Sequence, residues 1–238
     1  MATSVRRGRR VRRTRRRRRW PQLVVIVGIV LAAAIFALGH RGSKIPQVDR
    51  SSALCVVCID PGHGGSDQGT SWEGRLEKDD NLKAALALRD ALAERNIYSV
   101  LTRQEDTSLT LEERVAFAQQ EQADFYISLH RNAADVSANG IEVWVAENCS
   151  GTALALAQRV EQGLTEAGIQ NSRGVRYGSQ SGTGDYYVLS HTTMPAILVE
   201  LGFIQDSEDN RLLDQNLDKY AEAIADAVAG LVEGEQAS

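Results

Sequence analysis

Leu54-Cys55-Val56-Val57-Cys58-Ile59, followed at once by Asp60-Pro61-Gly62-His63-Gly64-Gly65, is the stretch on which the fold turns. A short β-rich apolar run of this kind reads as a strand. The hexapeptide behind it, rich in Gly and Pro, makes a tight, exposed turn that presents one imidazole without steric competition. The pattern is a strand whose carboxyl end releases a loop carrying His63.

Outward from this stretch, strand-like and helix-like runs alternate. Asn81 to Arg95 has helical character and Tyr98 to Thr102 is again strand-like. Leu111 to Gln122 reads as a helix, with Thr110 as N-cap and Glu113 three residues on completing a capping box. Phe125 to Leu129 and Ile141 to Val145 are predicted strands, Thr152 to Ala167 a helix ended by Gly168, and Ala196 to Leu201 a buried strand. Between Leu217 and Val232 the apolar residues Tyr220, Ile224, Ala227, Val228 and Leu231 recur on one helix face, which should pack on the sheet. This alternation predicts an α/β fold, a three-layer sandwich with a mixed, largely parallel sheet. In such folds ligands sit beyond the carboxyl ends of the strands.

That rule brings three distant residues together. His63 follows the first strand, His130 ends the Phe125 strand, and Glu200 sits at the end of the Ala196 strand. The chain has four histidines, and two of them fall at strand ends. Neutral imidazole is the commonest zinc ligand, and a catalytic zinc needs a third protein ligand plus an open position for water. Spacing alone leaves Asp60, Asp67, Glu73, Glu77, Asp79 and Asp80 open as the third ligand. The competing reading of Glu200 is a buried carboxylate paired with an arginine such as Arg75 or Arg103.

Four segments, Ile59-Asp-Pro-Gly-His-Gly-Gly, Leu76-Glu-Lys-Asp, Ile127-Ser-Leu-His-Arg-Asn-Ala and Pro195-Ala-Ile-Leu-Val-Glu-Leu-Gly-Phe-Ile, resemble the zinc-dependent N-acetylmuramoyl-L-alanine amidase family, typified by cell-separation and sporulation amidases. The resemblance runs in order from about Val56 to Val232. It implies a phosphorylase/hydrolase-like sandwich, with His63, Glu77 and His130 as zinc ligands and Glu200 as the catalytic glutamate. Its implied substrate is peptidoglycan, cut at the amide bond between N-acetylmuramic acid and L-alanine. Asn132, beside the metal, is expected to support the site or touch substrate. Arg131 departs from the family pattern, where many relatives place a small residue, and is expected to alter substrate contacts. The short interval from Asn132 to Ile141 leaves no room for the blocking helix of some relatives, so an open groove is expected.

The ends of the chain are of another character. Eleven of the 27 basic side chains are arginines within the first 19 positions, which leaves 16 basic against 31 acidic residues in the rest. An acidic body repels phosphates, so nucleic acid is not an expected partner. Leu23 to Leu38 is an uncharged apolar run behind the arginines, read as a single membrane span with the domain outside by the positive-inside rule. A cleaved secretory signal is the alternative. The expected organisation is a basic cytoplasmic tail (1–21), an anchor or signal (22–39), a linker (40–52) and a catalytic domain (53–238).

Three cysteines are too few for a disulfide framework. Cys55 and Cys58 have the spacing of a metal hook, but residues three apart on a strand point to opposite faces, so both are read as small strand residues. The Gly-rich turn lacks the Lys-Ser/Thr of a phosphate-binding loop, and neither Ser66 nor Ser128 has a nucleophile-elbow context.

Overall fold

The computed structural model describes residues 45–134, 137–168 and 171–236. After a 3-10 turn at Arg50–Ser52 come β1 (Val56–Pro61), a hairpin of β2 (Ser71–Trp72) and β3 (Arg75–Leu76), α1 (Glu77–Glu94), β4 (Tyr98–Leu101) and α2 (Leu111–Gln120). They are followed by β5 (Phe125–Asn132), β6 (Ile141–Val145), α3 (Gly151–Glu166), β7 (Ser172–Tyr177), α4 (Tyr187–His191), β8 (Ala196–Phe203) and α5 (Ser207–Gln236).

Six strands form one sheet in the order β4-β1-β5-β8-β6-β7. β1 pairs in parallel with β4 and β5, and β5 in parallel with β8. β6 runs antiparallel to β8, which makes the sheet mixed, and β7 closes the edge in parallel with β6. β1, β5 and β8 are central, so both their faces are covered and every residue of β1 and β8 is buried. Val57, Ile59, Ile127, Leu129, Val143 and Val199 face α1, α3 and α5, while Val56, Cys58, Tyr126, Trp144 and Leu198 face α2 and α4. This is the expected three-layer arrangement. Each fully buried Leu or Ile contributes roughly 1.5–3 kcal/mol to holding the layers together.

The expected elements appear with shifted ends. Thr110 and Glu113 make the capping box, bonding each other's backbone N–H at 3.2 and 2.8 Å. α1 begins at Glu77, four residues before the apolar pattern, because its polar first turn is turned inward by ion pairs: Lys78 meets Asp106 and Asp80 meets Arg75 and Arg131. Acidic residues there also complement the positive end of the helix dipole. β7 carries little apolar pattern because it is an edge strand with no fully buried residue. In the β2–β3 hairpin, Glu73 (φ 48°) and Gly74 (φ 84°) both lie in the left-handed region that a two-residue hairpin turn requires.

The expectation of a single-pass membrane protein is corrected. Among the described residues no helix is long and apolar enough to cross a membrane. The longest, α5, has one apolar face and carries Asp, Glu and Lys around the rest. The run over 22–39 on which that expectation rested lies outside the described residues.

Beneath the turn after β1, Asp60 is 1 % exposed and accepts hydrogen bonds from Arg114 (2.6 Å), Thr102 (2.7 Å) and Ser128 (2.9 Å). Burial pushes its pKa up, but the Arg114 charge and the Thr102 hydroxyl outweigh it, and the net shift is downward. A carboxyl depressed in the folded state adds stability that is full above its unfolded pKa of about 3.9 and is lost as pH falls through the folded value. The thermal midpoint is therefore expected to fall as pH drops below about 4, and Asp60→Asn to flatten that fall. Equal acid slopes for the two proteins in a pH series of melting curves would contradict this.

Candidate metal centre and active site

Three side chains from three elements meet at the carboxyl end of the central strands. The turn after β1 delivers His63, the first residue of α1 is Glu77, and β5 supplies His130. One ligand atom from each lies within 4.8 Å of the others. Glu77 Oε1 is 3.3 Å from His63 Nε2 and 2.9 Å from His130 Nδ1, and the two imidazoles stand edge to face at 80°. Ligand atoms about 2.0–2.1 Å from a tetrahedral zinc lie roughly 3.4 Å apart, so two imidazoles and a carboxylate at these separations fit such an ion.

Each donor is held from behind. His63 Nδ1 meets Asp67 Oδ2 at 2.8 Å, which leaves Nε2 to face inward. Glu77 Oε2 accepts from the Thr70 N–H at 2.8 Å and Oε1 from the Arg131 N–H at 3.1 Å. Burial opposes ionisation of Glu77, but the two histidines outweigh it and hold its carboxyl far below the usual range. The His130 ring packs on Gly62, where a Cβ would come within 2.3 Å of Nε2. That clearance, as much as turn formation, accounts for glycine at this position. The turn is less exposed than its composition suggests, with His63 at intermediate burial and Gly62 and Gly64 buried.

Glu200 lies beside this triad. Its Cα is in register with His130 on one side and Glu142 on the other. It is 5 % exposed, and Oε2 has no hydrogen-bond partner among the described residues. Arg75 bonds Asp80 and Asp214, and Arg103 bonds backbone carbonyls, so neither neutralises it. Burial, reinforced by the charges of Glu77 and Glu142, pushes its pKa well above that of an ordinary glutamate. Glu200 and the three donors line one cavity of about 510 Å³.

Residues 57–230 match the family described as N-acetylmuramoyl-L-alanine amidase. The chain belongs to that family. The YqiI protein of Bacillus subtilis is 37% identical over 174 residues, covering 73% of this chain and 81% of YqiI. The N-acetylmuramoyl-L-alanine amidase LytC of the same organism is 36% identical over 175 residues, but the chain spans only 34% of its length. Among solved structures, the catalytic domain of the amidase CwlV from Bacillus (Paenibacillus) polymyxa superposes with a TM-score of 0.67 at 31% identity, over 75% of this chain and 98% of that one.

Within this amidase fold Arg131 borders the cavity, but its side chain is 0 % exposed and lies beneath the site, which corrects its expected role in substrate contact. Successive side chains of a strand alternate between faces. The residue after His130 therefore points away, and Arg131 runs beneath the site to Asp80 (2.6 Å), Asn210 (2.6 Å) and the carbonyls of Gly202 and Phe203. Asn132 lines the cavity, yet its amide is engaged, donating to Glu142 and accepting from Gln180 and Ala133 N. Glu142 also accepts from Trp144, and Tyr186 packs edge-on against Trp144. Glu142, Gln180 and Tyr186 are missed by sequence reasoning. Asp67, four residues after His63, stood among the candidates. The described residues between Asn132 and Ile141 contain no helix.

Proposed function

We propose that the chain is a zinc-dependent N-acetylmuramoyl-L-alanine amidase that cleaves the bond between N-acetylmuramic acid and L-alanine in peptidoglycan, as cell-separation and sporulation amidases do. Residues 53–238 form its catalytic domain, with His63, Glu77 and His130 holding the metal. The observation that carries this reading is the meeting of three ligand atoms beside a buried carboxyl group whose Oε2 has no hydrogen-bond partner among the described residues.

Zinc, when bound, supplies Lewis acidity toward a water and the lactyl carbonyl. Glu200 takes a proton from the attacking water and hands it to the departing L-alanine nitrogen. Its raised pKa suits the proton-returning half, while the proton-accepting half draws on the ionised carboxylate. Asn132 and Gln180 stiffen the wall of the groove and set where the stem peptide can lie.

The full chain is expected to digest purified peptidoglycan with no activator present. Mass spectrometry of the fragments should find free L-alanine amino termini, and 1,10-phenanthroline should abolish the cut until zinc is restored. Cleavage at another bond would overturn the substrate assignment, and cleavage that persists after chelation would overturn the metal.

A further inference from the structure

We propose that Arg114 is a positioning residue for His63, holding this metal donor through its backbone. The proposal rests on the metal reading above. His63 has φ 60°, a left-handed conformation uncommon outside glycine that persists only when its surroundings impose it. Two buried arginines do so. The Arg114 guanidinium donates to Asp60 Oδ1 at 2.6 Å, the Pro61 carbonyl at 3.0 Å and the His63 carbonyl at 2.7 Å. Arg103 takes the Pro61 and Gly62 carbonyls at 3.0 Å each. The three carbonyls from Pro61 to His63 thus all end on an arginine.

The placement of Arg114 follows from its helix. The Thr110–Glu113 capping box fixes the first turn of α2, and Arg114 is the next residue. Leu109, Thr110 and Leu111 line the cavity, so the turn that borders the groove also sets the donor. Asp60 balances the Arg114 charge, so the service of the guanidinium to His63 is one of shape. Its planar fork reaches the Asp60 carboxylate with one nitrogen and the His63 carbonyl with the other. A lysine keeps the charge but has one point donor and cannot span both.

The test is titration of the metal-free full chain with cobalt(II), following affinity and visible d–d absorption. The wild type is expected to bind one equivalent with the intense bands of a tetrahedral site, and His63→Ala to lose them. Arg114→Lys should bind about tenfold more weakly or worse, with altered bands, as loss of a group that orients a ligand does. An Arg114→Lys protein that melts lower but keeps wild-type affinity and bands has lost only structure, and overturns the proposal. If circular dichroism finds Arg114→Lys unfolded, Arg114→Gln serves instead, since its single short amide cannot span the Asp60 carboxylate and the His63 carbonyl. The same shift is expected from it, and wild-type cobalt binding overturns the proposal. Should His63→Ala bind cobalt as the wild type does, the metal reading itself fails, and Arg114 has no donor to position.

Discussion

Glu200→Gln is expected to lower kcat/KM on purified peptidoglycan by about a thousandfold, within the 10²–10⁴ range of general acid–base catalysis, and to leave zinc affinity nearly unchanged. The separation follows from geometry, because Glu200 shares the cavity with the three donors but is not among them. Stability should not suffer. Glutamine has the shape of the protonated acid, and burial beside Glu77 and Glu142 already disfavours the charged form. The amide replaces a neutral acid of the same shape, so a melting temperature close to that of the wild type is expected at neutral pH. Paired measurements of turnover, zinc by competition with a chromogenic chelator, and melting decide the matter. Residual activity within tenfold of wild type would remove Glu200 from the chemistry, and lost zinc would make it a fourth ligand.

Arg131→Ala should be the most damaging substitution for stability among those considered. Its side chain is 0 % exposed and its partner Asp80 2 %. Removing one member of a buried pair leaves the other charge in a low-dielectric interior, at a cost of about 3–5 kcal/mol. Here the lower end applies, because Arg75 also bonds Asp80 at 2.5 Å and keeps the carboxylate partly neutralised. Two carbonyls and Asn210 Oδ1 lose a donor as well. Urea unfolding of Arg131→Ala should yield a stability about 3 kcal/mol below wild type with an unchanged slope. Arg131→Met, which fills the volume with apolar atoms, should be little better, since it too strands Asp80. A loss under 1 kcal/mol in both would make Arg131 a spectator.

These two residues mark the boundary of what sequence reading reached. Positions at strand ends put His63, His130 and Glu200 at one end of the sheet, because hydrophobic runs of strand length are visible in sequence and their carboxyl ends coincide in a parallel sheet. Glu77 could not be picked from its acidic neighbours by spacing, because what distinguishes it is a helix beginning four residues before the apolar periodicity does. Arg131 was misjudged for a related reason. Its neighbours in sequence line a groove, and only the β pleat sends it to the other face. Glu142, Gln180 and Tyr186 act through partners remote in the chain, on strands and loops whose register no local pattern encodes. The polar first turn of α1 is the same lesson in the core, since buried ion pairs look like solvent-facing charge until their partners are known.

Cys55, immediately ahead of β1, packs in the core on the α1 side of the sheet, and Cys58, within β1, packs on the α2 side. Along an extended strand their Cα atoms are about 10 Å apart with the side chains opposed, well beyond what a disulfide bridges. Burial also pushes the Cys55 thiol up to about 12 and the Cys58 thiol higher still, so neither forms a nucleophilic thiolate at neutral pH. The sheet therefore acts as an insulator between two thiols that the unfolded chain would bring together within a single short loop. Oxidative cross-linking of this pair is compatible only with a chain whose first strand has come apart, and a bridge formed then is a bridge across which β1 cannot re-form.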